Sequence, residues 1–398
     1  MQSDILILGA GIGGYETFRS LARGLKADHR LETITLVDEN NYFTFIPMLH
    51  EVASGSVLPE HAVIPLRELV AGTPHQFLRA KVLQIDPKNK TVQTSSGQIS
   101  YNYAVVALGS QTNFFGVPGA EEFAQHVRDL SGAKRIEETL FNILEKNPAE
   151  ITLTIVGGGY TGVELAGQFG YLATHQLKRL YKNTKLKIRL IQASETLIPI
   201  LPKKAQVLAQ KQLQKMGVEI LFNSAVAAVT PTDVKLKTGE ILPSDLTIWS
   251  AGFKNIAENF MTVEACDRGR IPVDHFLRSP IFSNLYAIGD IACATNPGEN
   301  SPIPQLAEVA HQAGQFVARH ILATLQNKTT APFLFKTHGT LMPVGDWYGI
   351  GVWGQHVFSG RFIWWLRRTV YVHFLPGWGR KLRIVLDWTL QALGWRHF

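Results

Sequence analysis

The sequence predicts an α/β protein built from two βαβ units of the same kind, the second inserted in the first, and followed by an amphipathic helical region. Three observations support this prediction. A glycine-rich turn follows an apolar stretch at residues 5–14, and the same arrangement returns at 154–164. Each unit then continues with a small meander and a strand that ends at a glycine. Seven of the eight tryptophans follow Asp346, which sets the end of the chain apart.

The first unit begins with a predicted strand at 5–8, a turn at 9–14 and a helix that extends to about residue 26. Its turn contains Gly9, Gly11, Gly13 and Gly14. Such a turn lets the backbone approach a pyrophosphate, and the following helix N-terminus attracts phosphates. The next strand, 33–37, ends at Asp38, 24 residues after Gly14, where an acid can bind an adenosine ribose. The pattern predicts a Rossmann-like dinucleotide site, with an ordinary turn aspartate as the alternative.

A β meander is then predicted at 80–85, 90–94 and 98–103, and its first strand contains Val82. A buried strand at 103–108 follows and ends at Gly109. A helix is predicted at 131–146.

The second unit occupies about 151–255. Gly157 permits the tight turn, Gly159 the approach of a pyrophosphate, and Gly162 the close packing of the helix on the strand. The next strand ends at Gln192, where an acid would be expected, and the last one is followed by Gly252. The remaining predicted strands are 187–191, 218–222, 225–229, 234–237 and 246–249. The order of parts repeats that of the first unit, which indicates a duplicated fold.

The chain then returns to the first unit with a strand that closes on Gly289 and Asp290. A carboxylate in this position can lie against a ribityl chain, although taken alone Gly-Asp is an ordinary turn. A helix is predicted around 304–324. On it Glu308 and Gln312 are four residues apart and share one face. They either line a pocket or lie on a solvated face, and spacing alone favours the solvated face.

The tail combines tryptophans and leucines with basic residues. Short helices are predicted at 359–374 and 379–394, broken by Pro376-Gly377. The tryptophans are Trp347, Trp353, Trp364, Trp365, Trp378, Trp388 and Trp395, and the basic residues are Arg361, Arg367, Arg368, Arg380, Lys381, Arg383 and Arg396, opposed by Asp387. This composition is typical of helices in a membrane interface. The alternative is a basic helical pair packed on the body or on a second subunit.

The composition, with 45% hydrophobic and 18% charged residues, is that of a globular protein. The net charge of +7 favours an anionic partner, but the aliphatic tail argues against nucleic acid. Cys266 and Cys293 form no CxxC pair and no metal-ligand cluster, so no metal is expected. The first strand begins within a few residues of Met1, so no signal peptide is expected. No apolar run reaches the roughly 18 residues of a membrane-spanning helix.

Together, these residues resemble the two-dinucleotide-binding-domain flavoproteins, and among them the type II NADH dehydrogenases, NADH:quinone oxidoreductases of respiratory membranes. The most specific segments are 157–167, 287–290 and 307–314. The resemblance implies an FAD domain at 1–113 and 274–325, an NAD(P)H domain at 114–273 and a membrane-anchoring region at 326–398. It assigns to FAD the residues Gly9, Gly11, Gly14, Asp38, Gly109 and Asp290. It assigns to NAD(P)H the residues Gly157, Gly159, Gly162 and Glu164. Further candidate cofactor-binding residues are Gly13, Val82, Tyr160, Thr161, Gln192 and Gly252.

The resemblance implies a flavoprotein that passes two electrons from NADH or NADPH through FAD to a membrane quinone without pumping protons. The candidate catalytic residues are Glu164, near the nicotinamide–flavin stack, and Glu308 and Gln312, near the quinone. Residues 357–398 would bind the cytoplasmic face of a bacterial-type plasma membrane. Their deletion is expected to abolish membrane association and to leave flavin reduction intact. A homodimer is compatible with this assignment.

Two positions depart from the family pattern. Glu308 replaces the first glutamine of A-Q-x-A-x-Q-x-G, which offers a proton donor or changes the acceptor. Gln192 replaces the acid that repels a 2′-phosphate in NADH-specific members, so it permits NADPH.

Two other functions remain open. A sulfide:quinone oxidoreductase shares the scaffold, but its cysteines are well separated, whereas Cys266 and Cys293 are 27 residues apart. A non-catalytic redox sensor would bind nucleotide and signal through the tail. This chain lacks the redox cysteine pair of a disulfide reductase. A function as a soluble reductase for an electron-carrier protein would leave the composition of the tail unexplained.

Overall fold

The computed structural model describes residues 1–261, 269–374 and 378–392. Cys266, Trp395, Arg396 and the predicted break at Pro376-Gly377 lie outside these ranges. The strands are β1 (Gln2–Leu8), β2 (Ile34–Asp38), β3 (Tyr42–Thr44), β4 (Val63–Pro65), β5 (Gln76–Arg79), β6 (Val82–Asp86), β7 (Thr91–Thr94), β8 (Gly97–Val106), β9 (Ser110–Thr112), β10 (Glu150–Val156), β11 (Lys185–Ile191), β12 (Glu219–Leu221), β13 (Val226–Val229), β14 (Asp233–Leu236), β15 (Ile241–Pro243), β16 (Leu246–Trp249), β17 (Phe253–Asn255), β18 (Ile271–Pro272), β19 (Leu285–Ala287), β20 (Ala292–Cys293), β21 (Thr340–Pro343), β22 (Gly349–Trp353) and β23 (His356–Gly360).

The α-helices are α1 (Ile12–Ala27), α2 (Leu49–Ala53), α3 (Arg67–Val70), α4 (Ala120–Phe123), α5 (Leu130–Leu144), α6 (Tyr160–Tyr171), α7 (Leu177–Leu180), α8 (Lys203–Lys215), α9 (Ala307–Leu325), α10 (Arg361–Phe374) and α11 (Trp378–Ala392). A π-helical turn, Leu172–Gln176, joins α6 to α7.

The chain divides into two compact units that differ from the predicted domains. Unit 1 consists of Met1–Thr44, Val63–Gln111 and Phe253–Thr337, and unit 2 of Phe45–Ala62, Thr112–Gly252 and His338–Phe398. Unit 2 therefore includes residues 45–62, which the sequence assigned to the first domain, and 338–398, which it assigned to a separate region, whereas residues 326–337 of that region lie in unit 1. The segment at Gly345 packs closely on α6 within unit 2, since a Cβ on Gly167 would lie 2.4 Å from the backbone nitrogen of Gly345.

Unit 1 is organised by a sheet in the order β5-β2-β1-β8-β7-β6, with β19 also paired to β8. The strands β5, β2, β1, β8 and β19 are parallel, and β8, β7 and β6 are antiparallel. The predicted strands at 98–103 and 103–108 are wrong in one respect, because they form the single strand β8. Its first half alternates between buried and exposed residues, whereas its second half is continuously buried between β1 and β19, so the sequence resembles two strands.

Helices α1 and α9 pack closely in unit 1. A Cβ on Gly314 of α9 would lie 2.5 Å from the carbonyl oxygen of Gly13 on α1. The apolar core of this unit includes Leu8, Val82 and Val106. The close approach of the helices fixes the start of α1 on the sheet.

Unit 2 contains the parallel sheet β12-β11-β10-β16 and two antiparallel sheets, β13-β14-β15 and β21-β22-β23. The predicted strand–turn–helix–strand order at the second glycine turn is confirmed by β10, α6 and β11. The segment 218–222 was predicted as part of the meander, which is wrong. It forms β12, whose parallel partner is β11, because the chain leaving α8 runs back along the open edge of the parallel sheet.

The two tail helices have one buried and one exposed face. Helix α10 begins at Arg361 rather than at 359, because 356–360 form β23. Trp364 and Trp388 are buried, whereas Phe362 and Trp378 are 75% and 81% exposed. Among the described residues, no helix combines the length and apolarity needed to cross a bilayer.

Candidate functional site

The first glycine turn, in unit 1, requires glycine at two places. Gly9 has a φ of +95°, and a Cβ there would lie 2.5 Å from the carbonyl oxygen of Ala107. A Cβ on Gly14 would lie 1.9 Å from the carbonyl oxygen of Gly9. At Gly11, by contrast, a Cβ would meet nothing within 4 Å. The turn is therefore tightly packed on the protein side and open at the helix start, as a phosphate requires.

Asp38, the predicted ribose acid, also holds this turn in place. Its Oδ2 accepts a hydrogen bond of 2.7 Å from the backbone N–H of Ala10, and its Oδ1 accepts one of 2.8 Å from Asn40. Burial raises the pKa of Asp38, which these hydrogen bonds oppose. The turn function and the ribose function are compatible, since a carboxylate has about four acceptor positions.

The second glycine turn, in unit 2, repeats this geometry. Gly157 has a φ of +107°, and a Cβ on Gly162 would lie 1.8 Å from the carbonyl oxygen of Gly157. A Cβ on Gly159, at the start of α6, would meet nothing within 4 Å, as at Gly11. Neither α1 nor α6 has a side chain that caps its first turn. Both helix starts therefore leave backbone N–H groups and space for a dinucleotide phosphate, so both turns fit the cofactors that the sequence implied.

Gln192 occupies the position of Asp38 in this second turn, and both ends of its amide are engaged. Its Oε1 accepts a hydrogen bond of 2.9 Å from Gly158 N–H. Its Nε2 donates to Ser194 Oγ at 2.7 Å and to the carbonyl oxygen of Thr196 at 3.0 Å. Gln192 thus replaces the acid as the acceptor for the turn. The atom that would be a second carboxylate oxygen is instead an uncharged donor bound to its own loop.

Asp290 is positioned by a hydroxyl group in unit 1. Its Oδ2 accepts a hydrogen bond of 2.6 Å from Ser110 Oγ, and Gln305 Nε2 donates to its backbone oxygen at 2.8 Å. Gly289 and Gly109 both have a φ of +71°. The two strand-end turns that the sequence singled out therefore lie together in unit 1, with the carboxylate of Asp290 held between them.

Glu308 and Gln312 lie together on the first turns of α9, and both are half-buried. Gln312 Nε2 donates to Glu308 Oε1 at 3.3 Å and to the carbonyl oxygen of Lys336 at 2.8 Å. Thr337 Oγ1 donates to Glu308 Oε2 at 3.1 Å. The pair is thus fixed by the segment that follows the helix rather than standing free in solvent. His311, on another face, contacts Glu16, with its Nδ1 3.7 Å from Oε2.

The carboxyl group of Glu164, on α6 in unit 2, has an unusual environment. Its side chain is 16% exposed, and its Oε2 lies 3.7 Å from His50 Nδ1. Burial raises the pKa of Glu164 to about 7; the cation of Arg367 opposes this rise, and the carboxylate of Glu51 adds to it. A carboxyl group with this pKa exchanges protons near neutral pH, as a general acid or base does.

His50 and Glu51 were missed by the sequence analysis, as was the role of Arg367. All three are fully buried, in α2 and α10. Burial lowers the pKa of His50 to about 3, with the nearby Arg367 contributing, so the imidazole is neutral. Burial would raise the pKa of Glu51, but Arg368 and Arg367 hold it at about 2, so this carboxylate is ionised. A histidine and a glutamate that are adjacent in a short helix of a mostly apolar segment match no spacing that predicts a functional site.

The expectation that the basic residues of the tail lie at a lipid surface is wrong for Arg367 and Arg368. Arg367 Nη1 donates to Glu51 Oε1 at 3.0 Å, and Arg368 stacks on the ring of Trp364 with its Cζ 3.7 Å from the centroid. Trp388 of α11 donates its indole N–H to Glu51 Oε2 at 3.0 Å. The alternative of a helical pair packed on the body therefore holds for this buried face.

The remaining candidate residues have varied positions. The side chain of Val82 is buried in the core of unit 1 and packs there. A Cβ on Gly13 would meet Ile288 Cδ1 at 3.1 Å, so this glycine serves the packing of α1. Tyr160 and Thr161 are half-buried in the first turn of α6. Phe115 lies against Gly252, where a Cβ would be 2.8 Å from its ring.

A family model described as pyridine nucleotide-disulphide oxidoreductase matches residues 3–314 of the chain. Two curated relatives named type II NADH:quinone oxidoreductase are each 26% identical to it. The Staphylococcus saprophyticus protein aligns over 366 residues, which are 88% of this chain and 90% of the relative. The protein of Staphylococcus aureus strain MSSA476 aligns over 384 residues, which are 93% of this chain and 94% of the relative.

Two solved structures share the fold. The NDH2 structure from Plasmodium falciparum in complex with NADH has a TM-score of 0.87 at 20% identity and covers 98% of each chain. The sulfide:quinone oxidoreductase structure from Aquifex aeolicus has a TM-score of 0.77 at 21% identity, covering 96% of this chain and 92% of that one. Because proteins with different electron donors share it, the fold alone does not decide the reaction.

Proposed function

The chain belongs to the pyridine nucleotide-disulphide oxidoreductase family, and from this premise we propose that it is a type II NADH:quinone oxidoreductase that uses FAD. It passes two electrons from NADH to a membrane quinone without pumping protons. The two Staphylococcus relatives, which match most of the chain, carry this name and support the proposal.

The observation that carries the proposal is Glu164, which follows directly on the second glycine turn. A largely buried carboxyl group with a pKa near 7 beside a nucleotide-binding turn can hold or release a proton at the pH of turnover. A residue that served only to bind phosphate would not be acidic, because its charge would repel the phosphate.

Each glycine turn binds one dinucleotide in this proposal. The turn at Gly9–Gly14 holds the pyrophosphate of FAD, Asp38 binds its ribose, and Asp290, oriented by Ser110, binds its ribityl chain. The turn at Gly157–Gly162 holds NADH, and Gln192 also admits NADPH because it carries no charge against a 2′-phosphate. FAD, when bound, supplies the two-electron chemistry.

Glu308 and Gln312 are the proposed contacts for the quinone headgroup. Their mutual hydrogen bond and their bonds to Lys336 and Thr337 fix both side chains before a ligand arrives. A quinone carbonyl only accepts hydrogen bonds, so the amide of Gln312 would donate to it, whereas the carboxylate of Glu308 would accept from a hydroxyl group of the quinol product.

The exposed face of the tail is the proposed membrane contact. It presents Phe362 and Trp365 on α10, and Trp378 and Leu382 on α11, each at least 48% exposed. Aromatic side chains of this kind lie at the depth of the lipid headgroups. Binding through this face makes the enzyme a peripheral protein of the cytoplasmic membrane surface.

Anaerobic stopped-flow tests the reaction. The FAD-loaded protein is mixed with NADH, NADPH or sulfide in separate runs, then with a soluble quinone, while the flavin absorbance near roughly 450 nm is followed. Fast bleaching by NADH and fast recovery with quinone are expected. Bleaching without recovery would refute the quinone half, and bleaching by sulfide but by neither nucleotide would favour the sulfide-oxidising function. A protein that bleaches with none of these donors fits the redox-sensor alternative.

A further inference from the structure

We propose that Arg367, contributed by the tail helix α10, is a positioning residue that fixes the tautomer of His50 and directs its N–H toward the carboxyl group of Glu164. The proposal rests on the proposed function, in which Glu164 exchanges a proton. It gives the tail a role inside unit 2 that differs from membrane binding.

The geometry of the guanidinium group supports the first step. Arg367 Nη1 donates to Glu51 Oε1 at 3.0 Å, and its Nη2 donates to the carbonyl oxygen of Pro47 at 3.0 Å. The same Nη2 lies 3.5 Å from Nε2 of His50. A guanidinium group has only donors, and it lies nearer to His50 Nε2 than Glu51 Oε1 does, at 3.7 Å, so we assign Nε2 as the acceptor in this contact. Since the imidazole is neutral, its single proton is then on Nδ1.

The second step joins His50 to Glu164. The Nδ1 atom that carries the proton is the one that lies 3.7 Å from Glu164 Oε2. A small closing movement makes this contact a hydrogen bond to the carboxylate form. Such a bond favours the ionised form and lowers the pKa of the carboxyl group. The opposite tautomer would present a lone pair to the carboxylate and would disfavour ionisation.

The groups that face Glu164 come from three elements. Helix α2 contributes His50 and Glu51, α6 contributes Tyr160, and α10 contributes Arg367 and Tyr371. Burial lowers the pKa of His50 to about 3, the arginines hold that of Glu51 at about 2, and burial raises the pKa values of both tyrosines. Between pH 5 and 9, Glu164 is therefore the group of this cluster that titrates.

Two readouts test the proposal on the full-length, FAD-loaded protein. The first is ¹⁵N NMR of histidine-labelled protein, with the His50 signals assigned by their loss in His50→Gln. We expect a neutral imidazole protonated on Nδ1 in the wild type. In Arg367→Lys, which keeps the charge beside Glu51 but not the planar fork, we expect the proton to move to Nε2 in a measurable fraction of molecules.

The second readout is the pH profile of quinone-dependent turnover. Arg367→Gln is paired with Glu51→Gln so that no buried carboxylate is left alone, and the pair removes the cation that lowers the pKa of Glu164 together with the smaller effect of the carboxylate that raises it. The Glu164 titration should therefore move to more alkaline pH, by less than about one unit. Arg361→Lys, at the exposed start of the same helix, is the matched control and should change neither readout.

The inference would be overturned by a wild-type His50 protonated on Nε2, or by an Arg367→Lys variant with an unchanged tautomer. The role of Arg367 and the proposed function can be refuted independently of each other. A wild-type protein with the expected tautomer but without NADH:quinone turnover would refute the proposed function and leave the role of Arg367 intact.

Discussion

Nη1 of Arg367 lies 3.0 Å from Oε1 of Glu51, and both side chains are 1% exposed. The arginine comes from the tail and the glutamate from a short helix more than 300 positions earlier in the chain. Breaking a buried pair by removing one partner costs about 3–5 kcal/mol, because the other charge remains buried and uncompensated. The tail is thus part of the interior of unit 2.

The first prediction concerns deletion of residues 357–398. From the sequence alone, this deletion should leave flavin reduction intact. The structure leads to the opposite expectation, since the deletion removes Arg367, Arg368 and Trp388 from around Glu51. We expect a lower melting temperature, measured by scanning calorimetry, and slower bleaching by NADH. A truncated protein with wild-type stability and bleaching rate would show that the pair is dispensable.

The second prediction separates membrane binding from this buried pair. Trp378→Ser with Leu382→Ser removes two side chains that are 81% and 67% exposed. Each substitution removes up to about 2 kcal/mol of the free energy gained by burying the side chain in lipid. Sedimentation with anionic vesicles should therefore fall by tenfold or more, while the melting temperature stays the same. Leu31→Ser is the control, because Leu31 is 92% exposed in unit 1. Equal loss in both variants would argue against a specific tail contact.

Local patterns were sufficient to predict the two nucleotide-binding units. The glycine spacing at 9–14 and 157–162 gave both turns, because backbone crowding at Gly14 and Gly162 permits no other residue. The apolar runs predicted the central strands for the same local reason. β8 was predicted as two strands because its neighbours change along its length, and this depends on strands far away in the chain.

The cluster around Glu164 could not be predicted from local sequence patterns. His50 and Arg367 are brought together by tertiary packing, and neither belongs to a spaced motif. A basic and aromatic composition is the same whether an arginine faces lipid or a buried carboxylate. Only the burial of Arg367 and Arg368 distinguishes the two cases.

The third prediction concerns stability against acid. His50 has a folded pKa of about 3, below the ordinary 6.5, so the unfolded chain binds its proton first and the stability from this group falls as the pH drops from 6.5 to 3. Glu164, with a folded pKa of about 7 against 4.5, acts in the opposite direction between these two values. The two effects oppose each other from pH 4.5 to 6.5.

The variant His50→Gln removes the contribution of this histidine to the pH dependence of stability. Its destabilisation relative to the wild type should be largest at neutral pH and should shrink as the pH falls below 6.5. Urea unfolding at a series of pH values measures this difference. His356→Gln, at an exposed position of β23, is the matched histidine control. A constant cost for His50→Gln would mean that the imidazole binds its proton equally in the folded and unfolded chains, so that burial does not lower its pKa.

The fourth prediction concerns the choice between NADH and NADPH at Gln192. In Gln192→Glu, one carboxylate oxygen can still accept from Gly158 N–H, as Oε1 of the glutamine does. The other oxygen loses the bonds that Nε2 makes to Ser194 and Thr196 and becomes a charged acceptor. Such an acceptor binds a ribose diol and repels a 2′-phosphate.

The rate of flavin bleaching by NADPH relative to NADH should therefore fall by about fivefold or more, because two like charges about 4 Å apart repel by about 1 kcal/mol even in bulk water. Stopped-flow titration with each nucleotide gives the two second-order rate constants of bleaching. Gln214→Glu makes the same change of charge on the exposed face of α8 and should leave the ratio unchanged. If Gln192→Glu also leaves the ratio unchanged, the 2′-position does not lie at this residue, and its amide serves only to hold the turn.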